Sequence, residues 1–153
     1  MFVRSIELSD VEAITELVKL HIAETNPHMC VEEDVVRYYA EMGADPQSTY
    51  KIFIAENDSG MVGYLVAHAA PYMYCREYSA GMEAIFVHPS SRGSKAAMML
   101  IRAYDEWATN VIKAKEIYVG VNHGMNTNRA ERFFAHMGFK PTGSFFRKVR
   151  SDD

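Results

Sequence analysis

Arg92 and Lys95 flank a glycine in the run Val87-His88-Pro89-Ser90-Ser91-Arg92-Gly93-Ser94-Lys95-Ala96-Ala97. Two cations so placed suit an anion. If a helix begins there, its first N–H groups are unpaired and carry partial positive charge, so the turn can hold a phosphate or pyrophosphate. An ordinary strand-to-helix turn with two solvated basic residues is the other reading of the same stretch. Ser90, Ser91 and Ser94 read as helix-start donors, because no histidine and acid are placed to activate one as a nucleophile. Glu83 stands upstream as a charge within the apolar run Met82-Glu83-Ala84-Ile85-Phe86-Val87, which invites a functional explanation beside the plain one of an exposed strand carboxylate. His123 carries an imidazole suited to proton transfer near neutral pH, or is polar surface. His68, His88 and His136 read as structural.

The elements that must position these groups follow from periodicity. Met82 to Val87 predicts a strand, Pro89 to Gly93 a turn, and Ala97, Leu100, Ile101 and Tyr104 a helix that continues to about Asn110, with Trp107 as packing. Upstream, Phe2 to Ile6 predicts a strand. Ser9-Asp10-Val11-Glu12 forms the pattern of a capping box, ahead of a helix from about Asp10 to Glu24. Asn26-Pro27 breaks that helix, and a second one runs from Val31 to Met42 with Gly43 as its stop. Tyr50–Glu56 and Met61–Ala69, joined by Asn57-Asp58-Ser59-Gly60, predict an antiparallel hairpin. Ala70 to Gly81 is a connection with three tyrosines, which either contact a ligand or cover the sheet edge. Beyond the central helix come a strand over Glu116–Asn122, a helix from about Asn126 stopped at Gly138, and a final strand over Gly143–Val149.

Composition bounds the answer. The 153 residues, 48% of them apolar and 24% charged, suit one α/β domain over residues 1–150 with a polar tail at 151–153. The formal net charge of −4 gives no general attraction to nucleic acid or to an anionic membrane. Cys30 and Cys75 are too few and too isolated for a disulfide framework or zinc site, so no metal is expected. No apolar run is long enough to span a bilayer, and the N-terminus lacks the pattern of a signal peptide, so the expected location is cytoplasmic. A homodimer is expected only from how common two-fold oligomers are.

Taken in order, the chain resembles the GNAT superfamily of N-acetyltransferases over nearly its whole length. Val3-Arg4 with Ser9-Asp10 is similar to the family's first strand and helix, and Ile54-Ala55-Glu56 with Val62-Gly63-Tyr64-Leu65 to its central hairpin. Val87-His88-Pro89 with Arg92-Gly93 and Ala97 is similar to its acyl-CoA motif, and Ala130 to Phe139 to the segment that ends its last helix. The resemblance implies a mixed sheet flanked by about four helices. The sheet would splay between the strands at Met82–Val87 and Glu116–Asn122 to admit acetyl-CoA. It implies that the pyrophosphate lies on the turn formed by Arg92, Gly93, Ser94, Lys95, Ala96 and Ala97, and that pantetheine pairs with the backbone around Phe86 and Val87.

The reaction so implied is acetyl transfer to a primary amine of a small molecule, peptide or protein. An ammonium has no lone pair, so a base is useful. Glu83 matches the position of a glutamate that serves many family members in that role, and His123 is the second candidate. Two residues depart from the family pattern. Lys95 replaces a usual glycine, and Phe134 occupies the place of a tyrosine that protonates the departing thiolate in many members. Together they define an alternative, a GNAT-fold module with reduced catalysis that binds CoA or acts as a structural or interaction protein. A P-loop is a further alternative from Gly93-Ser94-Lys95, but its first glycine is missing and Ala96 replaces the magnesium-binding Ser or Thr.

Overall fold

The computed structural model describes residues 1–120 and 127–150, and these form two compact units, Met1–Gly120 and Val121–Asp153. The first unit is built on a five-stranded sheet of β1 (Phe2–Ser5), β2 (Tyr50–Asn57), β3 (Gly60–Pro71), β4 (Tyr78–Val87) and β5 (Glu116–Tyr118), side by side in that order. The first four strands are antiparallel and β5 runs parallel to β4, so the sheet is mixed as expected. Helices α1 (Val11–Thr25) and α2 (Glu33–Ala44) pack on one face, and α3 (Ala96–Trp107), continued by a π-turn over Ala108–Ile112, packs on the other. The fourth helix, α4 (Thr127–His136), lies in the second unit. No helix among the described residues is long and apolar enough to cross a membrane.

Alternation along the strands divides the core. Ile52, Ile54, Tyr64 and Phe86 join Val11, Ile14, Leu17 and Ala40 beneath α1 and α2. The opposite parity sends Phe53 against Trp107, their ring centroids 6.3 Å apart, and brings Gly63 and Val87 under Leu100 of α3. Arg4 clasps the start of the fold. Its guanidinium donates to Asp10 at 2.7 and 2.9 Å and to Glu56 at 2.8 Å, which holds the Asp10 carboxyl below its usual range and raises the guanidinium's own pKa.

Three local expectations change. The cap of the first helix sits earlier than Ser9. Glu7 and Asp10 form the reciprocal box around a short 3-10 turn, because Asp10 accepts from the Glu7 N–H at 2.8 Å while Arg4 grips its oxygens. Gly43 does not stop α2 but lies inside it. A Cβ there would come within 2.9 Å of the Ile52 side chain, so the glycine permits close helix-to-sheet packing. Residues 143–149 form no strand. Phe145 and Phe146 are 93% and 95% exposed, and adjacent aromatics without a burying face have nothing to hold them extended, since strand preference expresses packing rather than the backbone alone. Gly138 does adopt the left-handed stop after α4, at φ 92°.

Candidate active site

β4 begins in register with both neighbours and ends with one. Ser79, Ala80 and Gly81 pair with Glu116, Ile117 and Tyr118 of β5, and the ladder to β5 extends no further among the described residues. Pairing with β3 continues to Val87, but it slips at one point: Val66 faces Ala84 while the next residue, Ala67, faces Met82. Glu83 is therefore the extra residue of a β-bulge, immediately after the strand parts from β5. Bulges bend the strand and re-aim a side chain, and this one lies two residues beyond the last described pair with β5.

Past the bulge, the outward edge of β4 has no ladder partner among the described residues. The His88 N–H donates to the Val62 carbonyl at 2.8 Å. In an antiparallel ladder the polar groups of successive residues point to opposite sides, so those of Val87 and Ile85 point toward the splay and those of Phe86 toward β3. The strand then passes through a 3-10 turn, Pro89–Ser91, whose cap is the His88 ring accepting from the Ser90 N–H at 3.2 Å. His88 is thus structural, as expected. Gly93 takes φ 84°, a left-handed conformation that glycine alone adopts cheaply, and open space surrounds the place a Cβ would fill. Lys95 has ordinary right-handed helical angles at the N-cap of α3, so it costs the backbone nothing where glycine is more usual. The Ser94 hydroxyl accepts from the Ala96 N–H at 3.2 Å. The helical ladder begins at Met99 N–H to Lys95 C=O, 2.9 Å, so the amides of Ala97 and Met98 precede it and point out of the helix start.

Arg92 is turned away from this amide cluster. Its Nη2 donates to Glu24 of α1 at 2.6 Å, its Nε donates to the Val87 carbonyl at 3.1 Å, and its guanidinium carbon lies 5.4 Å from the centre of the Phe86 ring. The Arg92 charge holds the Glu24 carboxyl below its usual range. Beneath Phe86 lies His21 of α1, buried, with its ring stacked on Phe86 at 4.9 Å and sharing a 2.6 Å hydrogen bond with the Tyr64 hydroxyl. Burial pushes the His21 pKa down and the Tyr64 pKa up, so both groups stay neutral.

On the face of the sheet that α1 and α2 share, side chains from four elements converge. Glu83 Oε1 lies 3.0 Å from His68 Nδ1 on β3, and both side chains are about half exposed, at 46% and 48%. Tyr50 of β2 stands opposite His68 in the ladder, and the Tyr39 ring of α2 packs on it at 5.3 Å. Burial first, and then the nearby Glu83 charge, push the Tyr50 hydroxyl pKa up. A shallow cavity of about 280 Å³ adjoins α1 and the link to α2, lined by Ile22, Pro27, Met29 and Val31 among others.

The structure thus brings Glu83 to the open sheet face. It gathers Gly93, Ser94, Lys95, Ala96 and Ala97 at the start of α3, next to the Val87 edge. The Arg92 side chain and the Phe86 backbone are engaged elsewhere. His123 lies outside the described residues. Phe134 packs edge-on against Phe133 and Phe139 within the second unit. Sequence reasoning missed His21, which interrupts an apolar stripe of α1 next to Ile22, and that interruption was the available signal. It also assigned His68 to structure alone. Among the described residues no cluster of three or more His, Cys, Asp or Glu side chains could hold a metal ion.

Comparison with known proteins agrees with this architecture. No curated protein matches the sequence significantly. Among solved structures, a putative acetyltransferase from Agrobacterium tumefaciens superposes with a TM-score of 0.76 at 18% identity, covering 98% of this chain and 100% of that one. The ribosomal-protein-alanine N-acetyltransferase of Brucella melitensis gives 0.71 at 15% identity over 98% and 100% of the two chains. An aminoglycoside acetyltransferase from an uncultured soil metagenomic sample, in complex with trehalose, gives 0.73 at 14% identity over 97% and 95%. At these identities the likeness is one of fold. The sequence itself matches the Acetyltransferase (GNAT) domain family over residues 48–141, a span that holds the hairpin, the bulged strand, the glycine turn and α4. By that match, and with the mixed five-stranded sheet to support it, the chain belongs to the GNAT family of acetyltransferases.

Proposed function

We propose that this chain, as one functional domain over residues 1–150 in the cytoplasm, moves an acetyl group from acetyl-CoA to a primary amine, with Glu83 as general base. The observation that carries the reading is the bulge: it sets a carboxylate on the open sheet face where the strand edge is free of β5. The residues present fit acetyl-CoA. The Ile85 backbone groups and the Val87 N–H offer strand-like pairing to an amide-bearing chain, the Val87 carbonyl being held by Arg92, and the left-handed Gly93 and the Ala97 and Met98 amides offer an uncluttered seat for phosphate. When bound, acetyl-CoA supplies an activated acyl thioester whose thiolate is a tolerable leaving group, with an ordinary thiol pKa near 8.5.

Glu83 takes a proton from the acceptor ammonium. The N–H bond breaks, an O–H bond forms on the carboxylate, and the nitrogen keeps the electron pair with which it attacks. The Val87 N–H is the donor on the free edge suited to the oxygen that gains charge. As the C–N bond forms, the C–S bond breaks with its electron pair going to sulfur, and the nitrogen's remaining surplus proton passes through solvent to the thiolate, since a phenylalanine at 134 has no proton to give.

Thermal unfolding with acetyl-CoA, against ATP with magnesium, tests the binding half. A ligand at ~100 times its dissociation constant stabilises by about 2.7 kcal/mol. Release of free CoA thiol with an alanine-initiated peptide or sisomicin as acceptor tests the transfer half. The two probes are chosen because solved neighbours are named a ribosomal-protein-alanine N-acetyltransferase and an aminoglycoside acetyltransferase in complex with sisomicin. Stabilisation by acetyl-CoA without any transfer would establish the second reading, a reduced binding module, to which Phe134 points. No stabilisation would overturn both.

A further inference from the structure

We infer that His68 is a positioning residue for Glu83, an inference that rests on the reading of Glu83 as the base. The bulge sends the Glu83 side chain to the open sheet face and leaves its rotamer to side-chain contacts. There the carboxylate is met by His68, whose Nδ1 lies 3.0 Å from Oε1. A proton on Nδ1 would draw that one carboxylate oxygen toward the ring and leave the second oxygen for the acceptor amine.

The surroundings are arranged for this contact. His68 faces Gly81 across the ladder, and a Cβ on Gly81 would come within 3.3 Å of the His68 Cε1 atom. The ring thus lies over a position without a side chain on its way to Glu83. On its other side Tyr50 fills the cross-strand neighbour position, backed by Tyr39. A half-exposed pair of this kind contributes little to stability, so the contact does not account for itself as a support of the fold. Its consequence is geometric, holding one rotamer of the proposed base.

The test is steady-state acetyl transfer to the alanine-initiated peptide and to sisomicin by the full chain and by His68→Ala, His68→Asn, Glu83→Gln and the double variant His68→Ala/Glu83→Gln. Thermal unfolding serves as the check on folding. In His68→Ala kcat should fall about tenfold, with the KM for acetyl-CoA unchanged, as a displaced catalytic group costs up to ~10². His68→Asn carries an amide N–H where Nδ1 stood and should restore most of the loss. The double variant should be no slower than Glu83→Gln alone, since His68 acts only through that carboxylate. A slow Glu83→Gln beside an unaffected His68→Ala would overturn the role of His68 and leave Glu83 standing. An unaffected Glu83→Gln, or no transfer by the parent chain to either acceptor, would overturn the reading of Glu83 and this inference with it.

Discussion

The outward edge of β4 at Ile85–Val87 and the sheet face at Glu83 belong to the same strand, yet they are made of different materials. The edge and the turn after it are backbone: the amide and carbonyl groups of a strand edge, one left-handed glycine and a helix start, all from consecutive residues. The face is side chain, assembled from Tyr39, Tyr50, His68 and Glu83 on four elements brought together by register. A site of consecutive backbone tolerates change in side-chain identity, which is why Lys95 can replace a glycine while keeping helical angles. A site of converging side chains does not.

The largest effect that would break this division is expected from Glu83→Gln. Turnover should fall by about a hundredfold or more, within the usual range for a general base, while acetyl-CoA affinity measured by calorimetry stays the same. Gly93→Ala should do the reverse. Forcing a side chain into a conformation at φ 84° costs on the order of 1–2 kcal/mol, or about tenfold in acetyl-CoA affinity, with turnover at saturation retained. If both substitutions moved both quantities together, the two regions would be one site. A smaller effect is expected of Glu24→Gln, which releases Arg92. Acetyl-CoA should then bind a few-fold more tightly, in a salt-dependent way, as Arg92 exchanges a carboxylate for a phosphate.

The smallest effect concerns His21, which underlies both regions through Phe86. Its pKa is lowered in the folded state by burial, so the stabilisation it gives is full above the ordinary histidine value of about 6.5 and is lost as pH falls below it. Denaturant unfolding from pH 7.5 to 5 should show that decline, and His21→Gln should flatten it.

The same contrast explains what was legible in the sequence. The hairpin at Gly60, the stop at Gly138 and the turn at Gly93 rest on local chemistry, and local chemistry is written in consecutive residues. The bulge is not. Met82 to Val87 is an unbroken strand-like run, and only the partner register reveals that one residue is surplus. Gly43 misleads for a related reason, since its meaning lies in Ile52 across the interface rather than in its own helix. The strand expected over residues 143–149 fails because strand propensity needs a partner to express it, and Phe145 and Phe146 are exposed without one to bury them.

The bulge also makes Glu83 the one residue of β4 that the core does not count. With it in place, Ala80 and Met82 face toward α3 and Ala84 and Phe86 face toward α1 and α2, which is the alternation a regular strand would show if Glu83 were absent. Deleting that single codon would therefore preserve the buried pattern on both sides of the sheet. It would straighten the strand toward β5 and remove the carboxylate in the same step. With Glu83 as the proposed base, one in-frame deletion would separate the active chain from an inert fold, and one insertion would lead back.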